Sequence, residues 1–432
     1  MIMGNLKLGT SIFVIPAKAG IQYFQRLLDP SAILPADRAF RRDDAFRGAQ
    51  LSFCFLAMTL FLFLLPLRAF ALTDNVREEN VGIRPSGAPI FSYSSDYGPS
   101  FGAHIAFFDY GKGTVKPYRG LYRIQGLFGT NGDFNNYFAT DNPEIFGTQF
   151  RFMSRFAIQR IGDYNYFGVG NNTSADNTTN DYYHFKRVTP SFHFNLLRKI
   201  YGNFYAILGY LWEERLITTN SNSKLAGDFP TGATGGKDSE LRFGISYDSR
   251  DNEAMPVSGH YIDAFAELPL RAFGSSYNSA RFTITDRNYV SICNRLVWAN
   301  RIIIKASTGT VPFYEMAKIG GLWHFDGLGG GSTIRGIRQS RYIDRAMLLF
   351  NEELRLRTFN FYVLKERFDV YVVAFADFGR VMSGLDHISL KGLHPAGGGG
   401  LRIQWNKNFS IAPDIGFSKE GYGIYFSFKN MF

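Results

Sequence analysis

The chain has 432 residues, 45% hydrophobic, 16% aromatic and only 19% charged, with 43 Phe, 24 Tyr and 45 Gly. No apolar run beyond residue 71 reaches the roughly 18 residues that a membrane-spanning helix needs, so a membrane-bound form has to close its strands into a barrel. The formal charge of +10 falls to +6 once residues 1–71 are set aside, too mild to point to nucleic acid.

In chain order, residues 1–48 read like translated repeat DNA ("FVIPAKAGIQ", "FRRDDAFRG") and are taken as a non-native upstream segment. Residues 49–71 carry one long apolar run that ends in Ala69-Phe70-Ala71, the small-x-small pattern of a cleaved secretory signal peptide. Residues 1–71 hold eight Lys/Arg and four Asp/Glu, so the charge falls from +10 to +6 on cleavage. Cys54 leaves with them, and Cys293 then has no intrachain partner. Residues 72–88 are expected to be a short periplasmic leader, and residues 89–432 the barrel.

From Pro89 onward the alternation has period two. Tyr122, Ile124 and Phe128 oppose Arg119, Arg123 and Gln125, and Phe243 and Ile245 oppose Glu240 and Arg242. Apolar and aromatic residues on one face with charged ones on the other fit a wall between lipid and a polar lumen. The pattern predicts sixteen strands, near 89–95, 100–110, 117–129, 133–141, 146–159, 181–196, 203–217, 238–248, 258–269, 278–289, 294–308, 344–357, 367–381, 398–406, 409–418 and 422–432. The expected fold is all-β, a 16-stranded antiparallel transmembrane barrel. An even count puts both ends on the periplasmic side and the long connections 160–180, 218–237, 309–343 and 382–397 outside. Pro413 removes a donor from the fifteenth strand and should loosen that ladder.

Several motifs resemble the BamA/TamA-type outer-membrane assembly factors, the bacterial surface antigen family of the outer-membrane-protein-85 superfamily. "STIRGI" (Ile334, Arg335, Gly336, Ile337) is similar to that family's loop signature, with Ile337 in place of the usual aromatic. "YDSRDNEAMPVSGHY" (Asp248, Arg250, Asp251, Pro256, Gly259), "NEELRLR" (Glu353, Arg355) and "FADFGRV" (Phe375, Asp377, Gly379) are further motifs that occur in family order. "YFGVGNNT" resembles a segment of shorter members, and "GIYFSFKNMF" (Phe426, Phe428, Phe432) resembles a β-signal. The family's periplasmic POTRA domains have no counterpart in the chain.

The connection 309–343 has about 35 residues, so each limb of a hairpin reaches up to ~50 Å against an apolar band of roughly 25 Å. It is expected to fold into the lumen. Parity turns Glu353 inward with Asn351, Arg355 and Arg357, and Asp377 inward with Asp369. Arg335 is therefore expected to pair with Glu353 and Asp377 and pin the loop, an arrangement the resemblance also implies. A guanidinium suits the task because its planar fork serves two carboxylates at once.

The seven histidines show no metal-ligand spacing, and "GLGGGSTIRG" fits neither a dinucleotide fingerprint nor a P-loop. No cofactor, metal or enzymatic activity is expected. The resemblance implies an integral protein of the Gram-negative outer membrane that assists protein insertion or translocation through a seam between strands one and sixteen, where Pro89 and Gly423 weaken the edge. Alternatives are a POTRA-less barrel for lipid or envelope homeostasis, and a passive pore. Expected partners are outer-membrane lipid, the assembly machinery that inserts the barrel, client outer-membrane proteins and a second copy in a homodimer.

Overall fold

The computed structural model describes residues 81–427 apart from 116–117, 178–180, 254, 323, 364–365 and 406–408. The upstream segment, the signal peptide and most of the leader lie outside the described residues, as do Phe428 and Phe432.

Sixteen antiparallel strands close into one barrel. They are β1 (Ile83–Ser94), β2 (Gly98–Asp109), β3 (Gly120–Gly129), β4 (Phe134–Asn142), β5 (Phe150–Asn165), β6 (His184–Tyr201), β7 (Phe204–Thr219) and β8 (Gly235–Asp248). The second half comprises β9 (Gly259–Pro269), β10 (Ser279–Cys293), β11 (Leu296–Gly309), β12 (Ala346–Val363), β13 (Glu366–Met382), β14 (His394–Trp405), β15 (Phe409–Ser418) and β16 (Gly421–Ser427). The alternation works as the pattern requires. In β8, Phe243 and Ile245 are exposed on the outer face while Glu240 and Arg242 are buried inside.

Several boundaries differ from expectation, among them the ends of β5 (Asn165 instead of 159), β6 (Tyr201 instead of 196) and β12 (Val363 instead of 357), and two starts differ as well. Strand β1 starts at Ile83 instead of residue 89, and Ile83 to Ala88 already pair with Asp109 to His104 of β2, so residues 83–88 are wall and not leader. The Pro85-Ser86-Gly87 composition hides this, because proline reads as linker although an edge strand tolerates it. Strand β14 starts at His394 instead of 398, shortening the fourth long connection, because the Gly397–Gly400 run has no side chains to show alternation. At Pro413 the β14–β15 ladder is interrupted between the pairs Gly400–Asp414 and Ile403–Ile411.

Closure is uneven. The β1–β2 ladder runs from Ile83–Asp109 to Ser94–Gly98 without a break, whereas β1 and β16 share the pairs Tyr93–Phe426 and Ser94–Tyr425 among the described residues. The Ser95 N–H donates to the Ile424 carbonyl at 3.1 Å. Backbone groups alternate between the two edges of a strand, so odd-numbered residues of β1 address β16. Pro89 is odd, and the N–H group it lacks is on the seam side of β1.

Candidate functional site

The connection between β11 and β12 folds inward along the wall. It begins with a short helix, α1 (Phe313–Ala317), and a two-residue hairpin pairing Lys318–Ile319 with Phe325–Asp326. It then turns sharply at Gly329–Ile337. The Gly330 N–H closes that turn on the Ile337 carbonyl at 2.8 Å, and the Thr333 hydroxyl ties Gly327 and Gly329. Ile334 and Ile337 are buried with Leu328, Tyr342, Met347 and Val381. Ile337 thus fills its apolar niche without an aromatic ring.

Arg335 projects from this turn and is wholly shielded from solvent. Its Nε and Nη2 donate to the two oxygens of Asp377, each at 2.9 Å, and its backbone N–H also reaches Asp377 at 3.0 Å. Nη1 donates to Glu353 at 2.7 Å and to Asp414 at 3.2 Å. The guanidinium carbon lies 3.4 Å from the centroid of the Phe375 ring, a cation–π contact. The charge is balanced beyond Arg335. Arg402 donates to Glu353 and Asp414, each at 2.6 Å, and Arg355 donates to Glu353 at 2.8 Å. Three arginines therefore face three carboxylates, which is what makes a shielded ionic cluster tolerable.

The wall is shaped to receive the loop. A Cβ on Gly379 would stand 2.9 Å from Ile334, and one on Gly416 would stand 2.5 Å from the carbonyl carbon of Arg335. Gly336 has φ of +95°, which lets the chain turn away directly after delivering the arginine.

Asp414 and Arg402 are part of this cluster although the expected set held only Arg335, Glu353 and Asp377. The remaining motif residues sit elsewhere. Arg250 clamps Asp248 at 2.9 and 2.7 Å, and Asp251 accepts from the N–H groups of Val257 and Ser258, so the β8–β9 turn with Pro256 and Gly259 is a self-contained structure. Phe426 packs near Phe91 at the seam, with ring centroids 5.6 Å apart.

A second docking point went unforeseen. Glu315 of α1 accepts from Arg215 of β7 at 2.9 Å and from Arg281 of β10. Lys318 donates to Glu213 of β7 at 2.6 Å and to Glu240 of β8 at 3.0 Å. Glu267 of β9 joins through Arg281 and Arg242 at 2.7 and 3.0 Å. Two groups here, Glu240–Glu267–His324 and Glu213–Asp238–Glu315, have the side chains for a metal ion. Their oxygens are already engaged by guanidinium and ammonium groups, so an ion-pair network describes the arrangement.

The far end of the loop straddles the seam. The Gln339 N–H donates to Asp96, in the β1–β2 turn, at 2.7 Å. Arg341 donates to Glu420, in the β15–β16 turn, at 2.9 Å, and the Tyr342 hydroxyl bonds to the same carboxylate. The Gly336 N–H donates to the Tyr425 hydroxyl of β16 at 3.2 Å. One loop therefore grips both sides of the β1–β16 junction.

Burial pushes the Asp96 carboxyl up to about 6, against the lowering effect of the Gln339 N–H, the Ser94 hydroxyl and Arg338. A carboxyl whose folded value is raised binds its proton more tightly folded than unfolded, so stability rises as pH falls through 6 and levels off below about 4. We expect the barrel to resist unfolding better at pH 5 than at pH 7.5. In Asp96→Asn this part of the pH dependence should vanish, as measured by unfolding midpoints across that range.

The profile of the Omp85 superfamily domain matches residues 123–414. Among solved structures, BamA from Haemophilus ducreyi lacking POTRA domains 1-3 aligns with a TM-score of 0.51 and 15% identity, over 80% of this chain and 70% of that one. CdiB from Escherichia coli aligns with a TM-score of 0.54 and 10% identity, over 83% of this chain and 66% of that one. At such identities the likeness is one of fold. No curated protein sequence matches the chain.

Proposed function

The chain belongs to the Omp85 superfamily, and on that premise we propose that it is an integral outer-membrane protein that helps polypeptides insert into or cross the bilayer through the β1–β16 seam. The observation that carries this reading is the loop's grip on both sides of the β1–β16 junction, through Asp96 of the β1–β2 turn and through Glu420 and Tyr425 of the β15–β16 hairpin. A backbone hydrogen bond contributes about 0.5–1.5 kcal/mol net, so the donor that Pro89 lacks on the seam edge of β1 lowers the cost of opening the wall there. The work is mechanical and needs no catalytic group.

In this reading Arg335, Glu353 and Asp377 lock the loop, and the locked loop holds the seam shut through Asp96, Glu420 and Tyr425. An opened β1 edge offers an extended client segment a strand to pair with. Photo-crosslinking residues placed at Gly87, Phe91 and Tyr422 in living cells test the proposal. We expect adducts with nascent outer-membrane proteins at the seam and none at an outward position remote from it, such as Phe243. Adducts with lipid alone would overturn the reading in favour of lipid homeostasis. High conductance of the purified barrel at rest, with no adducts, would favour a passive pore.

A further inference from the structure

The outer face of the wall should be apolar throughout the bilayer, and between β10 and β12 it is not. By the alternation that turns Arg287, Arg301 and Glu353 inward, Asp286, Asn288, Asn300 and Glu352 point outward. Asn288 stands directly opposite Asn300, and Asn300 directly opposite Glu352, so three neighbouring strands present one continuous polar row. Around it the outward residues are exposed and apolar, among them Ile284, Leu354, Leu356 and Val372.

The row lies deep in the wall. It starts at His260, the second residue of β9 at its periplasmic end, and climbs with the tilt of the strands through Asn288, Asn300 and Glu352. Continued through β13, β14 and β15, it ends at Tyr422, the second residue of β16 at its outer end. Glu352 is thus three strands from one rim and four from the other.

Two outward polar pairs elsewhere on the wall are satisfied locally. Thr140 bonds Ser154 at 2.8 Å, and Asn136 accepts from the Leu127 N–H at 3.1 Å. Here the indole of Trp298 reaches one oxygen of Glu352 at 2.7 Å, and Asp286, Asn288 and Glu352 are each partly exposed on the outer face. Acyl chains have no donors or acceptors to offer, and ionisable groups at this depth are costly unless something pairs with them.

We propose that this face, centred on Asp286, Asn288 and Glu352, is the contact surface of a homodimer in the membrane, with the Asn288 amide of each copy donating to the other's carboxyl groups. The surface holds both acceptors and donors side by side, so a two-fold axis through it satisfies both copies with the same set of residues, the condition for a closed isologous pair. An unrelated partner would have to supply that complement separately. The inference rests on the outer-membrane reading above.

The test is the mass of the full chain in lipid nanodiscs or by native mass spectrometry from detergent, for wild type and for Asp286→Leu/Glu352→Leu. We expect a wild-type dimer and loss of the dimer in the double variant. That variant should stay folded, with an unchanged heat-modifiable shift in electrophoresis, because leucine suits a lipid face. A wild-type protein that is monomeric in lipid, or a variant that still dimerises, would overturn the proposal. Wild type that fails to enter bilayers at all would instead defeat the outer-membrane reading, which the electrophoretic shift reports separately.

Discussion

Arg335→Ala should release the tip of the loop and destabilise the barrel by about 3–5 kcal/mol, the cost of removing one partner from a shielded ionic set. The full figure applies because the side chains of Arg335, Glu353 and Asp377 have no solvent exposure, so water does not screen the loss. The variant leaves Asp377, Glu353 and Asp414 with one cation fewer, Arg355 and Arg402 still bonding Glu353 and Asp414 and Asn351 still donating to Asp377 at 2.8 Å. Arg335→Lys should recover little, since an ammonium cannot reproduce the two parallel bonds to Asp377 or lie flat on Phe375. The measurement is the unfolding midpoint in denaturant together with protease cleavage within residues 310–345. Wild-type behaviour of Arg335→Ala in both would show that the cluster does not hold the loop.

How much of this was readable beforehand follows from the range of each interaction. The wall was legible because alternation is local. Even β4, with its polar Asn135, Asn136 and Asp141, falls at Phe134–Asn142, close to the expected 133–141. Glu353 and Asp377 were legible because parity and the loop's reach are local quantities too. Asp414 obeys the same parity, but it meets Arg335 only through the β14–β15 register, which sets Gly400 against Asp414 across a ladder broken at Pro413. Arg402 was obscured in the same way, lying next to a glycine run with no side-chain signal.

Residues outside any periodic segment were harder still. Glu315 sits in the five-residue helix α1, and its partner Arg215 is 100 positions earlier in the chain. No spacing rule connects them. Strand β1 failed for a different reason. Its prolines argue for a linker unless the strand is known to be an edge, and its status as an edge emerges only when the barrel closes.

The second large effect follows from that unforeseen contact. Glu315→Ala should cost about 3–5 kcal/mol as well, because it leaves Arg215, Arg281 and Lys318 buried with one carboxylate fewer. The two docking points use separate stretches of wall, β7–β10 for Glu315 and Lys318, and β12–β15 for Arg335. Between them Lys305 of β11 donates to the Asp344 carbonyl at 3.1 Å and to Met316, tying the two limbs together at the base. A loop held at two points stays in the lumen when either is lost, so each single variant should keep its central residues protected while the docked end it frees becomes cleavable. Glu315→Ala/Arg335→Ala removes both, and cleavage throughout 310–345 should exceed the sum of the single effects, since release requires both contacts to be absent. Loss of the seam clasp at Asp96 and Glu420 should accompany it, visible as crosslinks from Phe91 to added peptide in the purified barrel. Strictly additive cleavage in the double variant would mean that the loop is two independently mobile limbs, and that neither anchor governs the seam.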